Sequence, residues 1–289
     1  MYCIYTNSTI TSDNSNIEHI IPLSLGGKNG FTIRVNKNAN SDLGDKLDGA
    51  IVKDFFINHT KRAKGYIGHS KKITKYKINA TIATTGEKVE IRYIGKDNYL
   101  YNPKTKKRYT EEEKKQSPLN ISTPFTVNNL RIRFVAKVLL GTGYFIYGDA
   151  FKEYADHKSL RRIMDWNLLD KNNKLVNIPV GLMDEFSEVP DTTEKWDRTL
   201  RIVCKAIDSS CVILIIAPKQ IIGAVGIGGR YIGAINFKAN GRKLGYKKGP
   251  ADGIIIAIQN NKIIKTSFHK FLKKIQDLIS AKNNCYTCT

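Results

Sequence analysis

The stretch from residue 16 to residue 49 constrains this chain more than any other part of it. It holds a set of residues whose order suggests a compact site: Glu18-His19, Pro22, Gly26-Gly27 and Asn40. Proline has no N–H to donate to a sheet, so a strand that carries Glu18 and His19 ends at Pro22. A loop then leads to a helix near Asn40. Hairpin and helix are expected to bring a carboxylate, an imidazole and an amide together.

The three side chains suit a metal-assisted hydrolytic site. The imidazole of His19 is a side chain of the type that deprotonates water near neutral pH. The carboxylate of Glu18 and the amide oxygen of Asn40 are hard ligands of the kind that a divalent cation prefers. A lone Glu-His pair is more often an ordinary half-exposed pair on a strand, and the accompanying residues are what favour the catalytic interpretation.

The charge of the chain points to a polyanionic partner. Its 289 residues carry a formal charge of +21 with a pI near 9.7, and both halves are basic. Such a field attracts nucleic acid. A membrane-surface protein ranks well below that reading, because the Lys clusters are not joined to a long amphipathic helix or to a lipidation signal. The sequence shows no secretory signal and no apolar run of membrane-spanning length, so a cytoplasmic location is expected. The five cysteines are odd in number and thinly spread, which indicates reduced thiols.

Periodicity and turn residues predict an α+β fold. In the N-terminal half they predict short strands at 2–5, 17–21 and 31–35 and a helix at 39–46. Asp48 is expected to cap a further helix that continues to Phe56. A small antiparallel β-meander is predicted next, with strands at 73–83, 88–94 and 99–101.

The C-terminal half is predicted to be a mixed α/β domain. A segment at 111–124, charged and then rich in Pro, Ser and Asn, is the expected linker, which gives domains at 1–118 and 119–289. The second domain opens with a helical hairpin, one arm ending at Gly141 and the other running from Asp149 to Met164. Strands of a mainly antiparallel sheet are predicted at 201–207, 211–216, 221–227, 231–237, 253–258 and 262–265. A final amphipathic helix is predicted at 268–279. The role expected of this domain is DNA binding or sensing.

Cations interleaved with tyrosines mark candidate contacts to a nucleic-acid backbone and its bases. The candidate nucleic-acid-binding residues are Lys28, Lys37, Lys71, Lys72, Lys106, Lys107 and Arg108. For any single residue of the meander, a solvated strand face with lysines that protect a sheet edge is an equally good interpretation. The cations at the start of the helical hairpin are expected to face solvent, as most charges do: Arg131, Arg133 and Lys137.

The first stretch resembles the HNH endonucleases, which have a ββα-metal active site. The resemblance rests on Glu18-His19-Ile20-Ile21-Pro22, on Gly26-Gly27 and on the helix with Asn40, and it covers about residues 1–56. It implies that His19 is the general base that activates water. It also implies that Glu18 and Asn40 hold one Mg²⁺ or Mn²⁺ ion, which would stabilise the pentacovalent phosphate and the leaving oxygen.

Two departures from the family pattern affect the support of the site. Many members carry two Cys-x-x-Cys pairs that bind a structural zinc, and here the four positions are taken by Cys3, Thr6, Asn36 and Ala39. A structural zinc is therefore not expected. The family's middle asparagine would fall near Phe31 without a gap, and Asn29 takes its place only if the loop is rearranged.

Two hypotheses of different class follow. The first is a metal-dependent endonuclease that hydrolyses DNA, with restriction or anti-phage defence as its biological role by analogy with the family. The second is a basic nucleic-acid-binding protein whose HNH module is degenerate and serves only for docking. RNA stays open as the substrate, because phosphate chemistry alone does not distinguish the two sugars. A two-fold dimer would suit cleavage of both strands, since one ββα site cuts one strand.

Overall fold

The chain folds into an α+β structure in which every strand pairing of the described residues is antiparallel. The computed structural model describes residues 1–68, 71, 75–94, 97–121, 129–164, 181–186, 191–247 and 252–286. Antiparallel sheets were expected from the short strands and turn residues, and that expectation is confirmed.

The N-terminal module contains two small hairpins followed by helices. Its elements are β1 (Tyr2–Cys3), β2 (Ser8–Thr9), β3 (Ser15–His19), β4 (Thr32–Asn36), α1 (Lys37–Leu43), a π-helical turn (Gly44–Asp48), α2 (Gly49–Ile51) and α3 (Phe55–Ala63). Helix α1 begins two residues earlier than predicted because Asn36 caps it, accepting hydrogen bonds from the N–H groups of Asn38 and Ala39. Asp48 is not the predicted cap, since it lies inside the helical run with helical torsion angles. Asp54 caps α3 instead.

The small sheet is the predicted meander with one strand added. It has the order β7-β6-β5-β8 and is formed by β5 (Lys75–Ile82), β6 (Lys88–Ile94), β7 (Asp97–Tyr101) and β8 (Leu119–Ile121). The prediction of a linker at 111–124 is wrong for its first part. Helix α4 (Glu111–Lys115) begins with a capping box between Thr110 and Glu113, and β8 then pairs with β5.

The C-terminal half is built on a six-stranded sheet of order β14-β13-β10-β11-β12-β9. Its strands are β9 (Gly181–Asp184), β10 (Ser210–Ala217), β11 (Gln220–Ile227), β12 (Arg230–Lys238), β13 (Gly253–Gln259) and β14 (Lys262–Ser267). Its helices are α5 (Asn129–Tyr147), α6 (Asp149–Tyr154), α7 (His157–Met164), α8 (Asp191–Ile207) and α9 (Phe268–Tyr286).

The strand predicted at 201–207 is wrong, because these residues form the last turns of α8. The apolar residues of this segment recur at helical spacing, with Leu200, Val203, Cys204 and Ile207 buried together against β10. A short apolar run is compatible with either a strand or a buried helix. Here the segment is helical, and its apolar side packs on the face of the sheet.

Helix α5 lies between the N-terminal module and the six-stranded sheet. Side chains of the module, among them Ile20 and Phe31, belong to the same buried cluster as Phe134 and Leu139 of α5 and several residues of β10, β11 and β12. Leu139 packs directly on the backbone of Gly223, where an added Cβ would lie 2.4 Å from Leu139 Cδ2. The core is therefore continuous across residue 118, and the division into two domains there stays a prediction.

None of the helices within the described residues is both long enough and apolar enough to cross a membrane.

Candidate active site

His19 lies at the end of β3 on the more open face of that strand. Ile17, two residues earlier and therefore on the same face, is 58% exposed. The Nε2 atom of His19 lies 2.9 Å from Oδ1 of Asn29. Because an amide oxygen can only accept, Nε2 donates this hydrogen bond and carries the proton of the neutral ring. Nδ1 then carries the lone pair, which is the atom that a general base uses.

The loop between β3 and β4 brings Asn29 back to His19. After the short 3₁₀ turn Leu23–Leu25, Gly26 adopts a φ of +83°, which favours glycine. Gly27 passes so close to the strand that an added Cβ would lie 1.8 Å from the carbonyl oxygen of Ile21. The two glycines fold the loop tightly, so Asn29 meets the imidazole although a gapless alignment places the family's asparagine near Phe31.

Glu18 points to the opposite side of β3, into the protein. Its Oε1 forms an ion pair with Nζ of Lys137, which comes from the middle of α5. The same ammonium donates to Oδ2 of Asp48 at 2.5 Å. The side chain of Lys137 is 0% exposed, whereas the side chains of Glu18 and Asp48 are 12% and 16% exposed. One buried cation therefore holds two carboxylates from different elements.

The electrostatics of this cluster follow from its burial. Burial lowers the pKa of Lys137, but Asp48 and Glu18 outweigh it and the pKa is raised, so the ammonium is charged. Burial raises the pKa of Asp48, and so does the negative charge of Glu18, while Lys137 lowers it; the outcome is a raised pKa. Burial, followed by the same two carboxylates, also holds the pKa of Tyr5 well above its ordinary value.

Asn40 lies on the Glu18 side of β3. Its Nδ2 donates to Oδ1 of Asn16 at 3.0 Å, and Asn16 shares a strand face with Glu18 because the two residues are two apart. The amide nitrogen of Asn40 is engaged in this hydrogen bond, and the amide oxygen is the atom that can bind a cation. The two metal ligands that the resemblance implies thus lie over the same side of one strand.

The residues of this side fit a hard divalent cation. With both carboxylates ionised, Glu18, Asp48 and Lys137 together carry a net charge of −1. Oδ1 of Asp48 and the hydroxyl of Tyr5 are buried without a hydrogen-bond partner among the described residues. Within that part of the chain no three His, Cys, Asp or Glu side chains form a metal-binding group, so a site here requires the amide oxygen of Asn40.

A hydrogen bond joins two of the positions where zinc ligands would be. The Sγ atom of Cys3 accepts from the backbone N–H of Asn36 at 3.2 Å, and the side chain of Asn36 caps α1. At the other positions, the hydroxyl of Thr6 bonds to that of Ser8 at 2.7 Å, and Ala39 donates its N–H to the cap. These hydrogen bonds connect the sheet, the cap and the start of the helix.

The candidate nucleic-acid-binding cations lie on several elements. Lys28 is half-buried and donates to Oδ1 of Asn261 at 2.5 Å, which attaches the loop of the module to the turn between β13 and β14. Lys37 is exposed at the start of α1, and Lys71 is exposed with a φ of +50°. Lys72 lies outside the described residues.

The cations of the small sheet are exposed, but two of them already contact tyrosines. Lys107 pairs with Glu113 at 2.6 Å and lies 4.8 Å from the ring of Tyr109, and Arg108 lies 4.3 Å from the ring of Tyr99. Lys106 is exposed in a left-handed turn conformation. Bases that stack on Tyr99 or Tyr109 would have to displace these intramolecular cation–π contacts.

The sequence-based interpretation missed Lys137 and Asp48. The cations of α5 were expected to face solvent, which is wrong, since Arg131, Arg133 and Lys137 are between 0% and 1% exposed. A signal was present, because α5 is apolar on every side and offers these residues no polar face. Such a helix is buried, and a cation within it needs an acidic or carbonyl partner. Arg131 pairs with Asp54 and Glu185, and Arg133 donates to the carbonyl oxygen of Met164.

Comparison with known protein families gives one finding. Residues 3–56 match the family model described as HNH endonuclease, so the N-terminal module is of the HNH type and points to a nuclease. Searches for similar curated proteins and for similar solved structures found no significant match.

Proposed function

We propose that this chain is a metal-dependent endonuclease that hydrolyses phosphodiester bonds in DNA. The observation that carries the proposal is that Glu18 and His19 end the same strand, β3, where His19 pairs with Asn29 and where Asn40 bonds to Asn16 of that strand. This arrangement lies within the segment that matches the HNH endonucleases.

His19 acts as the general base in this proposal. Its Nδ1 takes a proton from a water molecule, whose oxygen attacks the phosphorus, and the bond from phosphorus to the leaving oxygen breaks. Asn29 orients the ring, because its oxygen fixes the proton of the neutral imidazole on Nε2. The exposed position of this strand face gives a phosphate backbone room to approach.

Glu18 and Asn40 would hold the Mg²⁺ or Mn²⁺ ion, with Asp48 beside them. When bound, such an ion neutralises the charge that develops on the phosphate and on the leaving oxygen. The donor set supports this assignment, because it consists of oxygen ligands and retains one negative charge in a largely buried place.

The substrate class follows from the charge. A formal charge of +21 and exposed cations such as Lys37 and Lys106 favour a polyanion, and a double-stranded DNA substrate is proposed in line with the HNH module. Action in restriction or anti-phage defence is proposed on the resemblance alone, and the cytoplasmic location stays a prediction. The two-fold dimer stays a prediction.

One observation favours a second function. Lys137 forms its ion pair with the very carboxylate that the resemblance assigns to the metal. If this ammonium permanently occupies the place of the metal ion beside Glu18, the module is degenerate and the chain binds nucleic acid without cutting it. DNA binding without cleavage, under every divalent ion tried, is the result expected from this alternative.

The test is cleavage of supercoiled plasmid DNA by His19→Ala in the presence of Mg²⁺ or Mn²⁺. The cleavage rate is expected to fall roughly 10²- to 10⁴-fold, which is the usual contribution of a general base. His59→Ala is the control, because His59 is an exposed histidine on α3, outside the candidate site, and its loss is expected to leave the rate unchanged. Undiminished cleavage by His19→Ala would show that the assigned base is wrong.

A further inference from the structure

The most unusual group near the candidate site is the ammonium of Lys137. It is supplied by α5, which lies outside the segment that matches the HNH family, and its side chain is fully buried. It contacts Glu18 at the end of β3 and Asp48 at the end of the π-helical turn. The contact to Glu18 spans 119 residues of sequence, so the module alone does not contain it.

Stability alone is a poor explanation for this cluster. Burying an ammonium and two carboxylates carries a desolvation penalty that their attraction only partly offsets, and apolar residues of similar volume often stabilise a core as well or better. The residues three positions before and after Lys137 on α5, Phe134 and Leu140, are apolar and fully buried. An apolar residue at position 137 would therefore suit the core, and the charged cluster needs another reason.

The contacts themselves suggest what that reason is. The ammonium of Lys137 donates a hydrogen bond to Oδ2 of Asp48, and Oε1 of Glu18 lies against the same ammonium in an ion pair. A carboxylate with one oxygen fixed in this way cannot rotate freely, and its second oxygen keeps one direction. Removal of a group that orients a metal ligand typically weakens metal binding 10- to 100-fold.

We infer that Lys137 is a positioning residue, which holds Glu18 in the orientation needed to bind the divalent cation and so makes α5 part of the nuclease site. The inference rests on the proposed function, because it assigns Lys137 a role toward the same metal. It gives the C-terminal half a direct part in forming the site, separate from any contact to DNA.

Two other roles for Lys137 predict different results. A purely structural lysine would change stability and leave the metal affinity of the folded protein unchanged. A lysine that competes with the metal for Glu18 would weaken metal binding in the wild type, so its removal would tighten it. The sign of the change in Mn²⁺ affinity therefore separates the three roles.

The experiment measures Mn²⁺ binding to the full chain without DNA, by calorimetry and by the loss of the free Mn²⁺ paramagnetic resonance signal. Lys137→Met is expected to raise the Kd for Mn²⁺ at least tenfold. Arg133→Met is the matched control, because Arg133 is an equally buried cation of α5 that bonds to the carbonyl of Met164 instead. It is expected to lower stability while leaving the Kd within twofold of the wild type.

Lys137→Arg covers the case in which Lys137→Met does not fold. It keeps the buried charge but changes the shape of the donor, and a Kd raised about threefold or more is expected. A variant at position 137 that folds and binds Mn²⁺ as tightly as the wild type, or more tightly, overturns the inference, and so does a wild type that binds no Mn²⁺. Because no step depends on cleavage, undiminished cleavage by His19→Ala would remove the assigned base without affecting this result.

Discussion

Glu18 and His19 are neighbours in the sequence, yet the structure gives them opposite surroundings. His19 lies on the open face of β3, and its imidazole donates a hydrogen bond to Asn29 of a nearby surface loop. Glu18 turns inward and pairs with a fully buried lysine from the C-terminal half. The alternation of a single strand thus separates the proposed general base from the residue that is fixed to the core.

This difference predicts that the His19 side of β3 governs the cleavage rate and that the Glu18 side governs stability. A change on the His19 side removes few contacts, so it is expected to alter the rate and leave the fold intact. A change on the Glu18 side leaves a buried charge without its partner, so it is expected to alter the fold first. Three experiments test this separation.

The largest effect is expected from the double variant Glu18→Leu with Asp48→Leu. It leaves Lys137 buried without either carboxylate, which is expected to lower the free energy of unfolding by about 3–5 kcal/mol. His19→Leu, on the open face, is expected to change it by less than about 1 kcal/mol. Urea unfolding followed by circular dichroism measures both.

Adding Lys137→Met to that double variant provides the control. The triple variant replaces the whole charged cluster by apolar side chains, and most of the lost stability is expected to return. Equal losses for the double variant and for His19→Leu would show that the two sides of β3 do not differ in their coupling to the core.

An intermediate effect is expected from Asn29→Ala. The imidazole loses the acceptor that fixes its tautomer, so the cleavage rate is expected to fall roughly 10- to 100-fold, a part of what the base itself contributes. The urea midpoint is expected to stay that of the wild type, since Asn29 is exposed. A large loss of stability with an unchanged rate per folded molecule would reverse the roles of the two sides.

The smallest effect concerns a buried histidine away from the site, His157, whose Nδ1 accepts from Arg161 at 2.6 Å. Burial, followed by the charge of Arg161, lowers the pKa of His157 to about 4. The neutral ring is favoured in the folded state, so its contribution is complete above pH 6.5 and is lost as the pH falls from there toward 4. At pH 5 this loss is about 1–2 kcal/mol, after allowance for partial solvation.

His157→Asn checks this reading, because its Oδ1 can accept from Arg161 without titrating in this range. Thermal unfolding between pH 7 and pH 5 is expected to depend less on pH in the variant than in the wild type. Equal slopes in the two proteins would mean that burial does not govern this histidine, and would weaken the contrast between buried and open sites.

The candidate site residues proposed from the sequence lie close together in the chain. Glu18, His19 and Asn40 belong to one short stretch, so strand alternation and helix capping place them with local rules. The contact between Asn29 and His19 was harder to predict, because a tight turn through Gly26 and Gly27 determines which loop residue reaches the imidazole. Spacing does not reveal how sharply a chain turns.

The apolar surface of α5 indicates that Lys137 is buried, but its acidic partners could not be predicted from the sequence. Its partners lie 89 and 119 residues away in the sequence, and no local pattern records such a contact. The same limit explains why 201–207 was taken for a strand, since only the sheet beneath it determines that these residues are helical. The capping box at Thr110, in contrast, was a local signal, and the acidic run that follows it was misread as a linker.

The attachment of the module to the last strands has a consequence for the timing of synthesis. Leu25 accepts a hydrogen bond from Ser210, and Lys28 donates to Asn261. Neither contact can form until Ser210 and Asn261 have been synthesised, long after the module. At roughly 5–20 residues per second, Asn261 follows Phe56 by about 10–40 s. A growing chain therefore carries the HNH segment for many seconds without the groups that hold its loop. On the proposed function, the loop that carries Asn29 would gain these contacts only late in synthesis.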